Sequence, residues 1–345
     1  MSPTRTETPT RTRIQNQNQN QTGPITMRAI QFTSFGPSSV LEAAELPRPE
    51  ASPGEVVVRV AGTTFNPVDA TIRAGFLAQV FPVDLPHVPG FDVSGTVVAV
   101  GGGVAGDLIG RDVVAFLPMT APGASAEFAA VPAELVAAAP ASIPLADAAA
   151  LASSGLTAWQ AIVEQAEVRP GQRVLVNGAG GGVGGFAVQL AARAGATVIA
   201  TAGPRSRDVV TAQGAAQVVD YTTTSVAAAV TEPVDAVLNL VRTSPEETAA
   251  LVALLKPGGV FVSTTTPGVV PAGSDVRAVS LFVRSDAAQL AELVNLVDAG
   301  ELRVDVSARY PLEQLAEVHA LGEAGRLRGK VVLTPTHDGE GGADR

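Results

Sequence analysis

The sequence contains no cysteine and only three histidines, His87, His319 and His337. Without cysteine, disulfides, thiolate metal sites and a cysteine nucleophile are excluded, and the composition fits a reducing compartment such as the cytoplasm. Three dispersed histidines do not favour a histidine-based metal cluster either. We therefore predict a protein without a bound metal, located in the cytoplasm.

Positive charge and long apolar runs are also scarce. The chain has 23 Lys and Arg against 33 Asp and Glu, a net charge of −10, and its basic residues form no run. Nucleic acids and anionic membrane surfaces attract clustered Lys and Arg. No stretch approaches the about 18 apolar residues that a membrane span needs. Neither nucleic acid nor a membrane is therefore an expected partner.

The 345 residues are enough for two domains between polar ends. Residues 1–26 are polar and lack the apolar segment of a secretory signal, so we predict a disordered tail there and a second one over residues 336–345. Residues 27–148 consist of short β-branched segments separated by Gly and Pro, which is typical of a small β-barrel. Over residues 149–273, short apolar strands alternate with amphipathic helices. Residues 274–335 are predicted to return to the first domain.

Alternating strands and helices indicate a parallel sheet with both faces covered. The predicted fold class is therefore α/β, with a β-barrel domain and a doubly wound, Rossmann-type domain.

One segment, RVLVNGAGGGVGGFAVQLA (173–191), combines an apolar strand, a glycine-rich turn and a helix. Gly180, Gly182 and Gly185 match the pattern GxGxxG, which gains its specificity for dinucleotides from this order of elements. We expect Gly180 to make the turn, Gly182 to admit a pyrophosphate and Gly185 to let the helix pack closely. Free N–H groups and the dipole at the helix N-terminus would then stabilise the diphosphate.

The residues after the next strand indicate which dinucleotide binds. An NAD site normally has a carboxylate about 20 residues after the loop, whereas an arginine suits the 2′-phosphate of NADP. Here Ala-Gly-Pro at residues 202–204 precedes Arg205. We therefore predict NADPH as the cofactor, with Arg205 as the first phosphate ligand, Arg207 as the second choice and Tyr221 within reach. The alternative is that both arginines are merely solvated.

Several separated segments together resemble the zinc-independent quinone oxidoreductase branch of the medium-chain dehydrogenase/reductase superfamily. They are FNPVDATIRAG, HVPGFDVSGTVVAVG, GLTAWQAI, RVLVNGAGGGVGGFAVQLA, QVVDY, LLKPGGVFVS and GRLRGKVVL, spread over about residues 27–335. The resemblance implies a GroES-like β-barrel catalytic domain completed by the C-terminal segment, and a Rossmann domain. It also implies a nicotinamide held between the domains, and a homodimer.

The zinc-dependent members of the superfamily differ at their metal ligands. They have a catalytic cysteine at the position of Asn66, and Gly-His-Glu where residues 90–92 are Gly-Phe-Asp. A structural zinc site of four cysteines cannot form here. Several relatives also have Tyr at the position of Thr71 and Ser at the position of Gly203. The first difference leaves the choice of substrate open, and the second removes one phosphate ligand.

The resemblance implies a set of residues around the cofactor. Asn66 and Thr157 are expected beside the nicotinamide, and Val241 and Lys330 at the border of the cofactor. The full set of predicted cofactor contacts is Asn66, Thr157, Gly180, Gly181, Gly182, Val183, Gly184, Gly185, Ala202, Arg205, Tyr221, Val241 and Lys330.

The implied reaction is hydride transfer from NADPH to a small-molecule quinone or activated alkene, without zinc. In such enzymes the cofactor supplies the chemistry, and the protein orients it and excludes water. The candidates for a catalytic residue are Asn66, Thr71 and His87, but Asn66 could instead cap a turn and His87 could be structural. Two other functions stay open: an enoyl-thioester reductase of polyketide type, and an NADPH-binding sensor without turnover.

Overall fold

The computed structural model describes residues 25–337, and its strands form three sheets. The strands are β1 (Thr26–Phe32), β2 (Leu41–Pro47), β3 (Glu55–Thr64), β4 (Asp92–Val100), β5 (Asp112–Phe116), β6 (Phe128–Pro132), β7 (Val136–Ala138), β8 (Arg173–Asn177), β9 (Thr197–Thr201), β10 (Gln217–Val219), β11 (Val234–Asn239), β12 (Leu255–Ser263), β13 (Arg277–Ser280), β14 (Val306–Pro311) and β15 (Lys330–Thr334).

The α-helices are α1 (Pro67–Arg73), α2 (Leu145–Ala148), α3 (Ala152–Trp159), α4 (Gly182–Arg193), α5 (Arg207–Ala212), α6 (Val226–Ala229), α7 (Pro245–Val252), α8 (Ala287–Asp298) and α9 (Leu315–Glu323). Short 3-10 helices cover Ser38–Val40, Gly106–Leu108, Ala133–Leu135, Ala149–Leu151 and Leu312–Gln314, and a π-helical segment, Gln160–Gln165, continues α3. Within the described part of the chain, the helices are too short or too polar for any of them to cross a membrane.

The first large sheet has seven strands in the order β14-β15-β3-β4-β5-β7, with β6 paired to β3. Its central strand, β3, is rich in valine, and Val56, Val58 and Val60 are fully buried. The C-terminal strand β15 pairs antiparallel with β3, with Leu333 opposite Thr63. The end of the chain therefore completes the β-barrel that the first part of the chain begins.

The second large sheet is parallel, in the order β10-β9-β8-β11-β12-β13. Val174, Leu175 and Val176 of β8 are fully buried, because helices cover both faces of such a sheet and both sets of alternating side chains need to be apolar. The chain runs outward in opposite directions from β8 and β11. This reversal places a crevice at the carboxyl ends of β8 and β11, where α/β sheets bind their ligands. The predicted α/β fold class, with a β-barrel domain and a doubly wound parallel sheet, is confirmed.

One predicted domain boundary was wrong. Strand β13 extends the parallel sheet beyond β12, so the predicted return to the barrel at residue 274 comes too early. This short edge strand is mostly exposed and has no apolar pattern that the sequence could reveal. Helix α7 ends at Val252, and Gly258 lies inside β12 with φ of +78°.

The two predicted tails also extend too far into the chain. Thr26 belongs to β1 and is paired with Pro47. At the other end, His337 Nε2 donates to the Val60 carbonyl oxygen over 2.8 Å, and its ring packs edge-on against Phe128. The remaining residues of both predicted tails lie outside the described part of the chain.

Candidate cofactor site

The glycine-rich turn joins the carboxyl end of β8 to the N-terminus of α4. Gly178 follows the strand with φ of +98°, a left-handed conformation that favours glycine. A Cβ atom on Gly184 would lie 2.4 Å from the Gly178 carbonyl oxygen, so only glycine lets the helix approach the strand this closely. At Gly181, the N-cap of α4, an added Cβ would have one described neighbour within 4 Å, the same carbonyl oxygen at 3.5 Å. The turn is therefore open at Gly181.

These positions correct the predicted structural roles of the glycines. The turn is made by Gly178 and not by Gly180. The close packing of the helix depends on Gly184 and not on Gly185. Val183 lies between them in the first turn of α4. Because the sequence has so many adjacent glycines, several registers of the pattern overlap, and the backbone conformation selects one.

The C-terminal strand of the barrel reaches this turn. Gly329 N–H donates to the Gly180 carbonyl oxygen over 3.2 Å, and Gly329 and Gly181 form a parallel β-bridge. A Cβ atom on Gly182 would lie 2.6 Å from Cδ of Lys330. The side chain of Lys330 therefore lies directly against the glycine turn and connects it to the barrel.

A buried polar cluster surrounds the Lys330 ammonium group. Nζ lies 2.8 Å from Thr64 Oγ1, 2.8 Å from Asn66 Oδ1 and 3.2 Å from Asp92 Oδ2. The Asp92 carboxylate also accepts from Asn66 Nδ2 over 2.9 Å, from the Ser153 N–H over 2.8 Å and the Ser153 hydroxyl over 3.0 Å, and from the Thr64 hydroxyl. Lys330 is 3% exposed and Asp92 0%. Two buried charges of opposite sign are tolerable here because hydrogen bonds satisfy both.

Asn66 is held in this cluster by the start of α1. It is the N-cap of that helix, and its N–H donates to Asp69 Oδ2 over 2.9 Å. Burial raises the pKa of Asp69 to about 7, and the nearby Asp92 carboxylate adds to the shift, against the opposing effects of the Asn66 N–H and Lys330. Asp69 therefore titrates near neutral pH directly behind a predicted nicotinamide contact.

Thr157 lies in α3, one turn after the Ser153 that binds Asp92. It is 7% exposed, and its hydroxyl donates to the Ser153 carbonyl oxygen over 2.7 Å. The structure thus brings Thr157, Asn66 and Lys330 to neighbouring positions along one chain of contacts. The hydroxyl hydrogen of Thr157 is engaged by its own helix, so its oxygen remains as an acceptor.

Two candidate catalytic residues have structural partners. The Thr71 hydroxyl donates to the Pro67 carbonyl oxygen over 3.0 Å within α1. His87 is 6% exposed, packs edge-on against Phe32 and lines a cavity of about 10 Å³ together with Asp69. Burial lowers the pKa of His87 to about 4, so its imidazole is neutral at pH 7. This surrounding supports a structural interpretation of His87.

The two arginines predicted near the 2′-phosphate have different partners. Arg205 donates from Nη1 to the Arg326 carbonyl oxygen over 3.2 Å and from Nη2 to that of Gly325 over 3.1 Å. Arg207 Nη2 lies 3.7 Å from Asp220 Oδ2. Arg205 thus lies between the Rossmann domain and the C-terminal segment, with a guanidinium group on exposed backbone carbonyls, whereas Arg207 already has a carboxylate partner.

The remaining predicted contacts flank the same crevice. Ala202 follows β9 and is buried, and Tyr221 is 60% exposed. A Cβ atom on Gly203 would lie 3.4 Å from the Tyr221 hydroxyl, so this phenol is beside the loop that carries Arg205. On the other side of β8, a Cβ atom on Gly178 would lie 2.8 Å from Cγ1 of Val241. The turn is therefore bordered by both loops at the carboxyl edge of the sheet.

The oxygen atoms of the polar cluster are engaged by the Lys330 ammonium group. Over residues 25–337, no group of three His, Asp or Glu side chains is positioned to hold a metal ion. The Asn66 and Asp92 oxygens that could bind a cation already bind the Lys330 ammonium group. A second positive charge at this place would be repelled by Lys330.

Sequence reasoning missed two members of the cluster, Thr64 and Ser153, and named Asp92 only as a lost metal position. A signal was present for the first, since Thr64 ends a strand whose other side chains are mostly apolar. A polar residue in a buried strand needs hydrogen-bond partners. The sequence does not show which partners these are, because Lys330 is 266 residues from Thr64.

Comparison with known proteins identifies the family. The family model for the alcohol dehydrogenase GroES-like domain matches residues 52–141, and that for zinc-binding dehydrogenase matches residues 213–333. The chain is 34% identical to the chloroplast envelope quinone oxidoreductase homolog of Arabidopsis thaliana, over 90% of this chain and 98% of that protein. It is 31% identical to the 2-methylene-furan-3-one reductase of Solanum lycopersicum, over 90% and 80%.

Solved structures agree with this comparison. The quinone oxidoreductase of Coxiella burnetii superposes with a TM-score of 0.82 at 33% identity, covering 90% of this chain and 99% of that one. A mycobacterial protein in complex with NADPH superposes with a TM-score of 0.77 at 30% identity, covering 90% and 100%. The chain belongs to the quinone oxidoreductase branch of the medium-chain dehydrogenase/reductase superfamily. It is an oxidoreductase.

Proposed function

We propose that this oxidoreductase transfers hydride from NADPH to a quinone or an activated alkene, without a metal ion. The observation that carries the proposal is the contact between the glycine turn and the barrel. Lys330, which lies against Gly182, brings the buried polar cluster to the end of the crevice. A cofactor in the crevice would therefore have its diphosphate at the turn and its nicotinamide near the cluster.

Residues at the turn fit a dinucleotide diphosphate. The first N–H groups of α4 have no partners within the helix, and together with the helix dipole they favour an anion. Gly181 leaves space for the diphosphate, since a Cβ atom added there would come no closer than 3.5 Å to the described atoms around it. The twelve residues of α4 are enough for this terminus to have a full dipole effect.

Arg205 supports the choice of NADPH over NADH. Its guanidinium group binds two backbone carbonyl oxygens, which are weaker partners than a phosphate dianion because neither carries a net charge. On the loop after β9, residues 202–204 include no carboxylate that would bind the ribose hydroxyls of NADH. Tyr221 lies beside the same loop and adds a hydroxyl donor.

The bound NADPH would supply the hydride, and the residues of the chain would orient it. All three hydrogens of the Lys330 ammonium group are directed at acceptors, which fixes Asn66 and Asp92 in place. The role of this cluster is thus to form a rigid polar wall at the nicotinamide end.

The names of two relatives support the acceptor class. One is a quinone oxidoreductase homolog, and another is a 2-methylene-furan-3-one reductase. Quinones and conjugated enones share an electron-poor alkene conjugated to a carbonyl group. We therefore propose this shared chemistry as what the site accepts. We further propose a cytoplasmic homodimer, which size-exclusion chromatography with light scattering and localisation of a tagged protein would test.

The test is oxidation of NADPH followed by its absorbance, with quinones, enones and enoyl thioesters as acceptors and NADH in parallel. We expect turnover of quinones or enones that prefers NADPH and survives treatment with a metal chelator. Turnover of enoyl thioesters alone would instead assign an enoyl reductase. NADPH binding without turnover of any acceptor would indicate a sensor, and loss of activity on chelation would contradict the metal-free mechanism.

A further inference from the structure

Three neighbouring strands of the parallel sheet end in buried polar residues. Thr201 ends β9, Asn177 ends β8 and Asn239 ends β11, and their exposures are 2%, 6% and 0%. The preceding residues of these strands are mostly apolar. Buried amides and hydroxyls are costly unless they are hydrogen-bonded, so three of them in one row need a common explanation.

The three side chains form one continuous row of hydrogen bonds. The Gly178 N–H donates to Thr201 Oγ1 over 2.8 Å, and the Thr201 hydroxyl donates to Asn177 Oδ1 over 2.9 Å. Asn177 Nδ2 donates to Asn239 Oδ1 over 2.9 Å, and Asn239 Nδ2 donates to the Val241 carbonyl oxygen over 3.0 Å. We call Thr201, Asn177 and Asn239 the polar ladder.

The direction of every bond in the polar ladder is fixed by its two ends. The Gly178 N–H can only donate, and the Val241 carbonyl oxygen can only accept. The hydroxyl of Thr201 therefore uses its lone pair toward Gly178 and its hydrogen toward Asn177. Both amides must then present oxygen on one side and nitrogen on the other. Reversing either amide would place two donors or two acceptors face to face.

The two backbone groups that the polar ladder joins belong to different parts of the crevice. Gly178 begins the glycine turn, whereas Val241 follows β11. The loop at Val241 is also held from the far side, since the Thr265 hydroxyl donates to the same carbonyl oxygen over 2.7 Å. Asn239 Nδ2 further lies 3.3 Å from Ser263 Oγ in β12. The row of contacts therefore extends across four strands.

We propose that Thr201, Asn177 and Asn239 are positioning residues for the cofactor, and that they hold the glycine turn and the Val241 loop at a fixed separation. This inference rests on the proposed function, in which the turn binds the diphosphate, and it adds that the Val241 loop borders the nicotinamide end of the cofactor. Thr201 acts on the diphosphate end through Gly178. Asn239 acts on the nicotinamide end through Val241.

Two probes separate these ends: NADPH, and 2′-phospho-ADP-ribose, which lacks the nicotinamide. Thr201→Val keeps the side-chain shape but removes the acceptor for Gly178, so both probes should bind about tenfold more weakly, equivalent to about 1.4 kcal/mol. Thr201→Ser keeps the hydroxyl and should bind both like the wild type. Asn239→Asp keeps the acceptor for Asn177 but places an oxygen against the Val241 carbonyl. It should weaken NADPH binding about tenfold and leave the affinity for 2′-phospho-ADP-ribose within about twofold of that of the wild type.

Calorimetry with the full-length chain measures these affinities, and circular dichroism checks that each variant is folded. Equal weakening of both probes by Asn239→Asp, or wild-type binding by Thr201→Val, would overturn the positioning role. If one variant does not fold, the other still decides, because each acts at a different end of the polar ladder. Failure of the wild-type protein to bind either probe would instead overturn the proposed function itself.

Discussion

The Lys330 ammonium nitrogen lies 3.2 Å from the Asp92 carboxylate, although the two residues are 238 positions apart in the chain. The contact joins the last strand of the barrel, β15, to β4, and it places a charge pair beneath the glycine turn. Such a pair contributes little when compared with an apolar substitute, but removal of one partner leaves a buried charge without compensation. The pair therefore makes the site sensitive to single substitutions.

The first prediction concerns this pair. Lys330→Met should lower the free energy of unfolding by about 3–5 kcal/mol, since Asp92 would remain buried without its cation. Lys256→Met is the matched control, because Lys256 forms a 2.8 Å pair with Asp235 and is 41% exposed. The control should cost only about 0–1 kcal/mol. Urea unfolding measures both, and equal losses would show that Lys330 is no more important than a surface charge.

The second prediction concerns selection of the cofactor. Arg205→Ala should weaken NADPH binding by about 1.5–3 kcal/mol, the range for a hydrogen bond to a charged group, and should affect NADH much less. Arg193→Ala is the control, since Arg193 pairs with Glu301 at the surface and both side chains are half exposed. Fluorescence titration gives the four affinities. Equal weakening of both cofactors would remove Arg205 as the 2′-phosphate ligand and leave it as a contact between domains.

The third prediction separates the two kinds of glycine in the turn. Gly181→Val should fold normally and lose NADPH binding, because the space around Gly181 is open to a side chain that would then fill the place of the diphosphate. Gly184→Ala should instead destabilise the protein, because its Cβ would meet the backbone of Gly178 and Ala179 at 2.4–2.8 Å. Thermal unfolding and NADPH titration of both variants measure this. Normal NADPH affinity in Gly181→Val would show that the turn binds no phosphate.

Gly182→Val would be a less direct test of the turn than Gly181→Val. Its Cβ would lie 2.6 Å from Cδ of Lys330, so the variant would also displace the buried ammonium group. Loss of binding in that variant would combine two causes.

The fourth prediction concerns pH. Burial raises the pKa of Asp69 from 3.8 to about 7, so between these pH values the folded protein keeps a proton that the unfolded chain has released. The protonated Asp69 carboxyl group contributes its full stabilisation below pH 3.8, and this stabilisation is lost as the pH rises through about 7. In Asp69→Asn, the amide cannot ionise but still has an acceptor for the Asn66 N–H. The wild type should lose up to about 4 kcal/mol of its free energy of unfolding over this pH range, and Asp69→Asn should not show this loss.

The measurement is urea unfolding of wild type and Asp69→Asn at several pH values between 4 and 7. The buried histidines act in the opposite direction, since burial lowers the pKa of His87 to about 4 and that of His319 to about 3, and their stabilisation is lost as pH falls below 6.5. Both proteins contain these histidines, so the difference between them isolates Asp69. A difference that does not change with pH would show that Asp69 is ionised throughout.

Much of the fold follows from local patterns in the sequence. Helix and strand periodicity depends on consecutive residues and is therefore a short-range signal. It indicated the strand RVLVN, the helix after the glycines and the alternation of strands and helices that follows. The boundary at residue 274 was mispredicted because such short-range signals are weak in the edge strand β13. This strand has no apolar pattern in its sequence.

The sequence by itself determined the class of the protein, the βαβ unit for a dinucleotide, and the absence of cysteine chemistry. Tertiary structure decided the register of the glycine turn, through the φ of Gly178 and the packing of Gly184. It also decided that Lys330, Asp92 and Asn66 meet in one cluster and that Asn177 and Asn239 join in one row. These residues lie tens to hundreds of positions apart, and a hydrogen bond between buried groups depends on where the folded backbone places them rather than on their neighbours in sequence.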